Sequence, residues 1–225
     1  GSPDLGGVVL DFCGGAYLLS QPIQFRGAAG NAVFTSGSFY ASESFPTSSH
    51  LFQLTGIPSN ASSVTRYRYM VFRDMYMDAN RSASGCIALE HAEETLVERL
   101  VCVGYLESGV WSFGVGNELE IAHSWFHEYT EISKCHLNGS RTGIGIKLDN
   151  NDHLISSTVI FCTKVGVFVN GSATQLSNLH IYTEMETISG PCIEVAPDVI
   201  SIRIDSSYFD GCIVHAYNPT TLHVS

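Results

Sequence analysis

Between Lys147 and His153 the chain reads Lys-Leu-Asp-Asn-Asn-Asp-His, which places two carboxylates, a cation, two amides and an imidazole within one short stretch. Asp149 and Asp152 are the residue types that general acid–base chemistry needs. One carboxylic acid protonates a leaving oxygen while the other, ionised, activates water. In inverting glycoside hydrolysis such groups stand ~6.5–9.5 Å apart, which leaves room for the water. Lys147 and His153 can place positive charge beside an anionic substrate, and Asn151 can donate or accept a hydrogen bond. The competing reading is that Asp and Asn occupy this stretch because they tolerate left-handed backbone and form Asx-turns.

Two further clusters carry similar residue types. The run His127-Glu128-Tyr129-Thr130-Glu131 follows a β-prone segment, with His123 and Trp125 close by. Glu128 or Glu131 can act as an acid on a cleft rim, and Tyr129 or Trp125 can stack on a sugar ring. An exposed loop with an inward aromatic explains the same run. No His follows His127 at i+4, so this is not a zinc-protease helix motif. Glu194, Asp205 and Asp210 form a third set, of which Asp210-Gly211 reads most simply as a turn.

The segments that must position these groups share one grammar. From Thr142 to Thr183 it appears as two copies: a Gly opens a β-branched run (Ile144–Leu148; Val167–Val169). A polar turn follows, and then a second run starts at Leu154 or Leu176 and ends on an aromatic. A repeat of about 22 residues built from strands cannot bury its own apolar face and must stack on its neighbours. The frame extends back to Gly85 and Val110 and forward to Cys192 and Cys212, with no 3.6-residue apolar period. The expected fold is therefore all-β, a parallel β-helix forming one domain over residues 1–225. Its strands Cys86–Leu89, Ile144–Leu148, Val167–Val169 and Ile193–Val195 should lie in one parallel sheet. Residues 5–25 read as two short strands around Gly14-Gly15, and Ser36–Ser49 as a wide polar loop. The chain stops at Leu222-His-Val-Ser225 in what reads as mid-coil, so further sequence is expected beyond it. Aligning the second strands on Leu96, Leu119 and Leu154 stacks Glu94, Asn117 and Asp152 in one row and Thr95, Glu118 and His153 in the next. Glu94 and Glu118 thereby join the substrate-binding candidates.

Composition narrows the partners. The 225 residues carry 22 acidic against 11 basic side chains, a formal net charge of −11, which argues against nucleic acid. No apolar run reaches the ~18 residues of a membrane span, and the chain is expected to be monomeric. Seven cysteines occur without a Cys-x-x-Cys pair, so no metal site is expected. Several fall on strands and read as buried free thiols, with at least one unpaired because the count is odd. Asn60, Asn80, Asn138 and Asn170 each open an Asn-x-Ser sequon, as on a secreted, glycosylated protein, and should all be exposed.

GGVVLDFCGGAYLLSQPIQF resembles the opening coil of pectate-lyase-superfamily proteins. RTGIGIKLDNNDHLISSTVIF, VGVFVNGSATQLSNLHIYT and YFDGCIVHAYNPTTLHVS resemble the quartet-type polygalacturonases of plants. The resemblance implies a right-handed parallel β-helix, an extracellular or cell-wall location, and hydrolysis of α-1,4-galacturonan without a cofactor. The signatures Asn-Thr-Asp, Asp-Asp, Gly-His-Gly and Arg-Ile-Lys of ordinary polygalacturonases do not occur. Two alternatives accordingly stay open: a non-catalytic polysaccharide-binding β-helix, and a pectate lyase in which Asp149 and Asp152 hold calcium.

Overall fold

The computed structural model describes residues 4–25, 30–55, 66–130, 141–182, 190–217 and 221–224. The described elements are all strands. They form two parallel sheets that wind together as a parallel β-helix, one of eight strands and one of 13. The expected common sheet is present: Ile87, Val110, Ile146, Val167, Ile193 and Val214 occupy one register position on successive strands. The first five of these side chains are fully buried. Each rung presents the same inward position to the next, ~4.8 Å away, so the core is a set of side-chain columns.

Two rows of left-handed residues bend the larger sheet. One runs through Ser36, Asp74, Arg99, His123, Ser157, Asn178 and Ser206, with φ between +47° and +63°. The other runs through Asn31, Tyr69, Glu94, Glu118, Asp152 and Ala173, with φ between +51° and +60°. Pairing is in register on either side of both rows. A left-handed residue costs roughly 1–2 kcal/mol when it is not Gly. Here successive rungs take that conformation at the same place, because hydrogen-bonding to the rung below favours the same bend.

These corners revise two sequence expectations. Residues 5–25 are not two strands around a Gly-Gly turn: Asp4–Leu19 is one strand with its bend at Cys13 and Gly14. Likewise Ser36–Ala41 is not loop, because Gly30–Ala41 is one strand bending at Ser36. The serines there point outward while Phe39 and Ala41 are buried, an alternation hidden by the polar composition. Phe39 meets Phe12 edge-on at 4.8 Å and stacks on Tyr17 at 5.4 Å.

The cysteine expectation is also corrected. Cys86–Cys102 and Cys192–Cys212 are disulfides, Cys162 is disulfide-bonded too, and Cys13 is free and exposed. Strand positions that read as buried thiols were brought into bonding range by the coil, which places Cys86 and Cys102 with Cα atoms 6.1 Å apart.

The glycine just ahead of the inward Val or Ile on successive strands has a spatial cause. Gly109, Gly145 and Gly166 form an inward column beneath Phe126, Ile160 and Ile181. A Cβ on Gly145 would lie 2.6 Å from the Gly166 carbonyl oxygen and 2.6 Å from Ile160 Cγ2. Gly145→Ala is therefore expected to destabilise the chain by ~1–3 kcal/mol, as overpacking does. A urea-denaturation midpoint unchanged from wild type would show that the column has slack.

Candidate functional site

The outward row of the eight-stranded sheet carries Ala88, Trp111, Lys147, Phe168, Glu194 and His215 on successive strands. Two residues further along the strands lies a second outward row that includes Glu90, Phe113, Asp149 and Asn170. Glu90 pairs with Phe113, and the Asp149 and Asn170 amides donate to the carbonyls of Ser112 and Leu148. Strand alternation puts both rows on the same face.

The chemistry concentrates around Trp111. The Lys147 ammonium stands 4.4 Å from the centre of its ring, and Phe113 stacks against it at 4.1 Å. Trp111 Nε1–H donates to Asp149 Oδ2 at 2.7 Å, and Lys147 Nζ lies 3.4 Å from the same oxygen. Asn170 Nδ2 donates to Oδ1 at 3.2 Å. Both oxygens of Asp149 are thus engaged by donors. A depression of about 340 Å³ opens beside this group, lined by Glu107, Ser108, Trp111, Thr142, Ile144 and Lys147. At its base the buried His50 Nε2 lies 3.1 Å from Ser108 Oγ. Burial pushes the His50 pKa down to about 3, so the ring is neutral at ordinary pH.

Asp152 does not share this depression. It is the left-handed residue of its corner, exposed, and lines a separate hollow with Glu118, Glu120 and Leu154 on the larger sheet. The row assignment also needs correction. Leu96 pairs with Glu120, and Glu120 with Leu154, so Leu119 lies one position out of the expected frame. Leu119 points inward with Thr95 and His153, whereas Leu96 and Leu154 point outward. Glu94, Glu118 and Asp152 therefore make one corner row. Asn117 pairs with Glu93 and bridges to Asn151 instead.

His153, expected to meet substrate, is only 2 % exposed. Its Nδ1 accepts the Leu119 amide at 3.3 Å and its Nε2 lies 2.7 Å from Asn150 Oδ1. The ring thus stitches two rungs together and cannot reach a ligand. Desolvation lowers its pKa to about 4. Asn151 is exposed, but its Oδ1 accepts the Ser172 amide at 2.8 Å, which ties the turn to the next rung.

The second cluster is largely structural. Glu128 is fully buried, not on a rim. It accepts from Arg81 at 2.8 Å and from the amides of Thr142 at 3.1 Å and Gly143 at 2.9 Å. Tyr129 is buried under the Arg81 guanidinium. Trp125 is 49 % exposed on the far arm of the larger sheet, remote in the fold from Asp149. Glu131 lies outside the described residues. Glu194 does share the outward row of Lys147, whereas Asp205 and Asp210 sit on the larger sheet. Among the sequons, Asn80 and Asn170 are exposed. Asn60 and Asn138 lie outside the described residues.

Trp111 was not singled out from the sequence. Its signal was available, because aligning Gly109 with Gly145 puts Trp111 level with Lys147.

With this geometry in hand, the chain can be set beside known proteins. It is 30 % identical over 227 residues to Polygalacturonase QRT3 of Arabidopsis thaliana, a match covering 100 % of this chain and 47 % of that protein. The chain resembles a plant polygalacturonase along its whole length. It spans about half the length of that relative. No family model matches it. Among solved structures it is similar to PfbA, a surface adhesin of Streptococcus pneumoniae. That match has a TM-score of 0.59 and 12 % identity, over 91 % of this chain and 60 % of the adhesin. It is also similar to the tailspike protein of E. coli bacteriophage HK620, with a TM-score of 0.53 and 11 % identity, over 91 % and 51 % of the two chains. At such identities these likenesses establish the β-helix fold alone.

Two outcomes follow from the buried groups of this polygalacturonase-like helix. Glu128→Ala leaves the partly buried Arg81 without its carboxylate and two amides without an acceptor. It should cost ~3–5 kcal/mol in chemical denaturation, and a smaller loss would place Glu128 in water. His50 and His153 have folded pKa values below the ordinary ~6.5 of histidine. The folded chain therefore binds fewer protons than the unfolded one as pH falls from about 6.5 toward 4. Their contribution is complete above that range and is lost on acidification. The melting temperature should fall between pH 7 and pH 4.5, with a shallower slope in His153→Gln; an unchanged slope would remove His153 from the account.

Proposed function

We propose that the outer face of the eight-stranded sheet binds galacturonan and that this chain belongs to a secreted glycoside hydrolase acting on it. The observation that carries the reading is the Trp111–Lys147–Asp149 cluster beside an open depression. The Lys147 ammonium, held over the indole and beside Asp149, can pair with a uronate carboxylate in a chain that is otherwise acidic. The whole-length similarity to a polygalacturonase supports the substrate class, and the disulfides support an extracellular setting.

Asp149 keeps its role as one of two working carboxylates. Its counterpart in this reading is Glu90, which replaces Asp152. Glu90 and Asp149 flank Phe113 on the same outward row, two rungs or ~9.6 Å apart along the helix. That separation is close to the wide, inverting arrangement, in which one group protonates the glycosidic oxygen and the other activates water. Phe113 between them, stacked on Trp111 by one face, can offer the sugar its other face.

A binding-only reading is favoured by one feature: Asp149 is already engaged by three donors. Reducing-end release from polygalacturonate, read beside the absorbance of unsaturated products, separates hydrolase, lyase and binder. Asp149→Asn and Glu90→Gln are each expected to lower release ~10²–10⁴-fold, while Asp152→Asn stays near wild type. Full activity in Asp149→Asn would sink the site. Loss of activity in Asp152→Asn alone would return the chemistry to the corner row.

A further inference from the structure

The first arm of the larger sheet carries its own change of charge along the helix. Its corner row bears carboxylates on Glu94, Glu118 and Asp152, then switches to Ala173 and Ser201 on the next two rungs. The neighbouring outward row runs Leu96, Glu120, Leu154, Gln175, Arg203, His223, in register throughout. Where the carboxylates stop, side chains that donate hydrogen bonds begin. Gln175, Arg203 and His223 are exposed and converge on a hollow of about 300 Å³, whose wall includes Ala173 and Ser201.

The small Ala173 leaves that hollow open where a carboxylate on the three preceding rungs would have filled and neutralised it. Arg203 is 57 % exposed, and its described contact uses Nη2, which donates to Asp205 Oδ2 at 3.0 Å. Asp205 takes one N–H of Nη2, and the Nη1 N–H groups of the same guanidinium can donate to a ligand carboxylate. Gln175 and His223 sit one rung, ~4.8 Å, to either side and can donate to the same group or to adjacent hydroxyls. Ser201 Oγ accepts the Ala173 amide at 3.2 Å, which leaves its proton for a sugar oxygen.

We propose that Gln175, Arg203 and His223 form a carboxylate-binding site, apart from the Trp111 cluster, that takes a uronate unit of an acidic polysaccharide. The anionic character of the ligand follows from the donors. Its identity as a uronate rests on the galacturonan reading above. A second foothold on another face would hold a long polysaccharide by two points and raise its effective concentration at the first.

The test is a titration of the ¹⁵N-labelled Glu90→Gln chain, in which the Trp111–Lys147–Asp149 contacts are untouched, with trigalacturonate, following the Arg203 Nε–H and the Trp111 indole signals separately. Trigalacturonate should move the Arg203 signal, and neutral galactotriose should not. Arg203→Gln/His223→Gln should weaken binding at this hollow about 10-fold or more, as loss of a charged hydrogen bond does, with the Trp111 response intact. An Arg203 signal that stays still while Trp111 responds overturns the second site and leaves the first reading standing. Movement at Arg203 with Trp111 silent upholds the second site and counts against the first. Equal movement with inorganic sulfate overturns the uronate assignment in favour of a general anion site.

Discussion

Rung-by-rung register is the constraint on which everything else in this molecule depends. A parallel strand finds its hydrogen-bond partners in the coils before and after it, so a bend in one coil is passed to its neighbours. The two left-handed rows are the visible result: Arg99, His123, Ser157 and Asn178 share one backbone conformation that none of their side chains favours alike. The same constraint explains the glycine column, where an inward Cβ on one rung would strike a carbonyl of the next.

Register also sorts the polar residues into kinds. On the flat outward rows of the eight-stranded sheet, side chains from successive rungs meet side by side, and Trp111, Lys147 and Asp149 form a contact group. At a corner the backbone turns, and Glu94, Glu118 and Asp152 project outward as a ladder of like charge. Two residues separate Asp149 from Asp152, yet one belongs to a sheet face and the other to a bend. Proximity in sequence says little about a shared site when the chain changes face between two residues.

Buried polar groups in this helix act as ties between rungs. His153 accepts an amide from the coil before it, Glu128 gathers an arginine and two amides, and Ser108 meets a histidine that began two rungs earlier. Each satisfies backbone or side-chain groups that would otherwise lie unpaired in a dry interior. The result links stability to pH through the neutral histidines. It also explains why several residues with catalytic-looking chemistry are unavailable to a ligand.

The sequence by itself determined the solenoid. A Gly, a β-branched run, a polar turn and a second run recur at a spacing that only stacking can satisfy. The common sheet through Ile87, Ile146, Val167 and Ile193 followed from that pattern. Lys147 and Asp149 were legible too, as polar residues at the outer positions of a strand and its end. Tertiary structure decided the rest, because the deciding facts are contacts across rungs. Leu119 and Leu96 look equivalent in sequence, yet one faces the core and the other solvent, which moved Glu118 between Glu94 and Asp152. Cys86 and Cys102 are strand residues until the coil brings them together. Whether an Asp works or merely turns depends on which face its neighbours one rung away present to it, and those neighbours lie some twenty to forty positions distant in the chain.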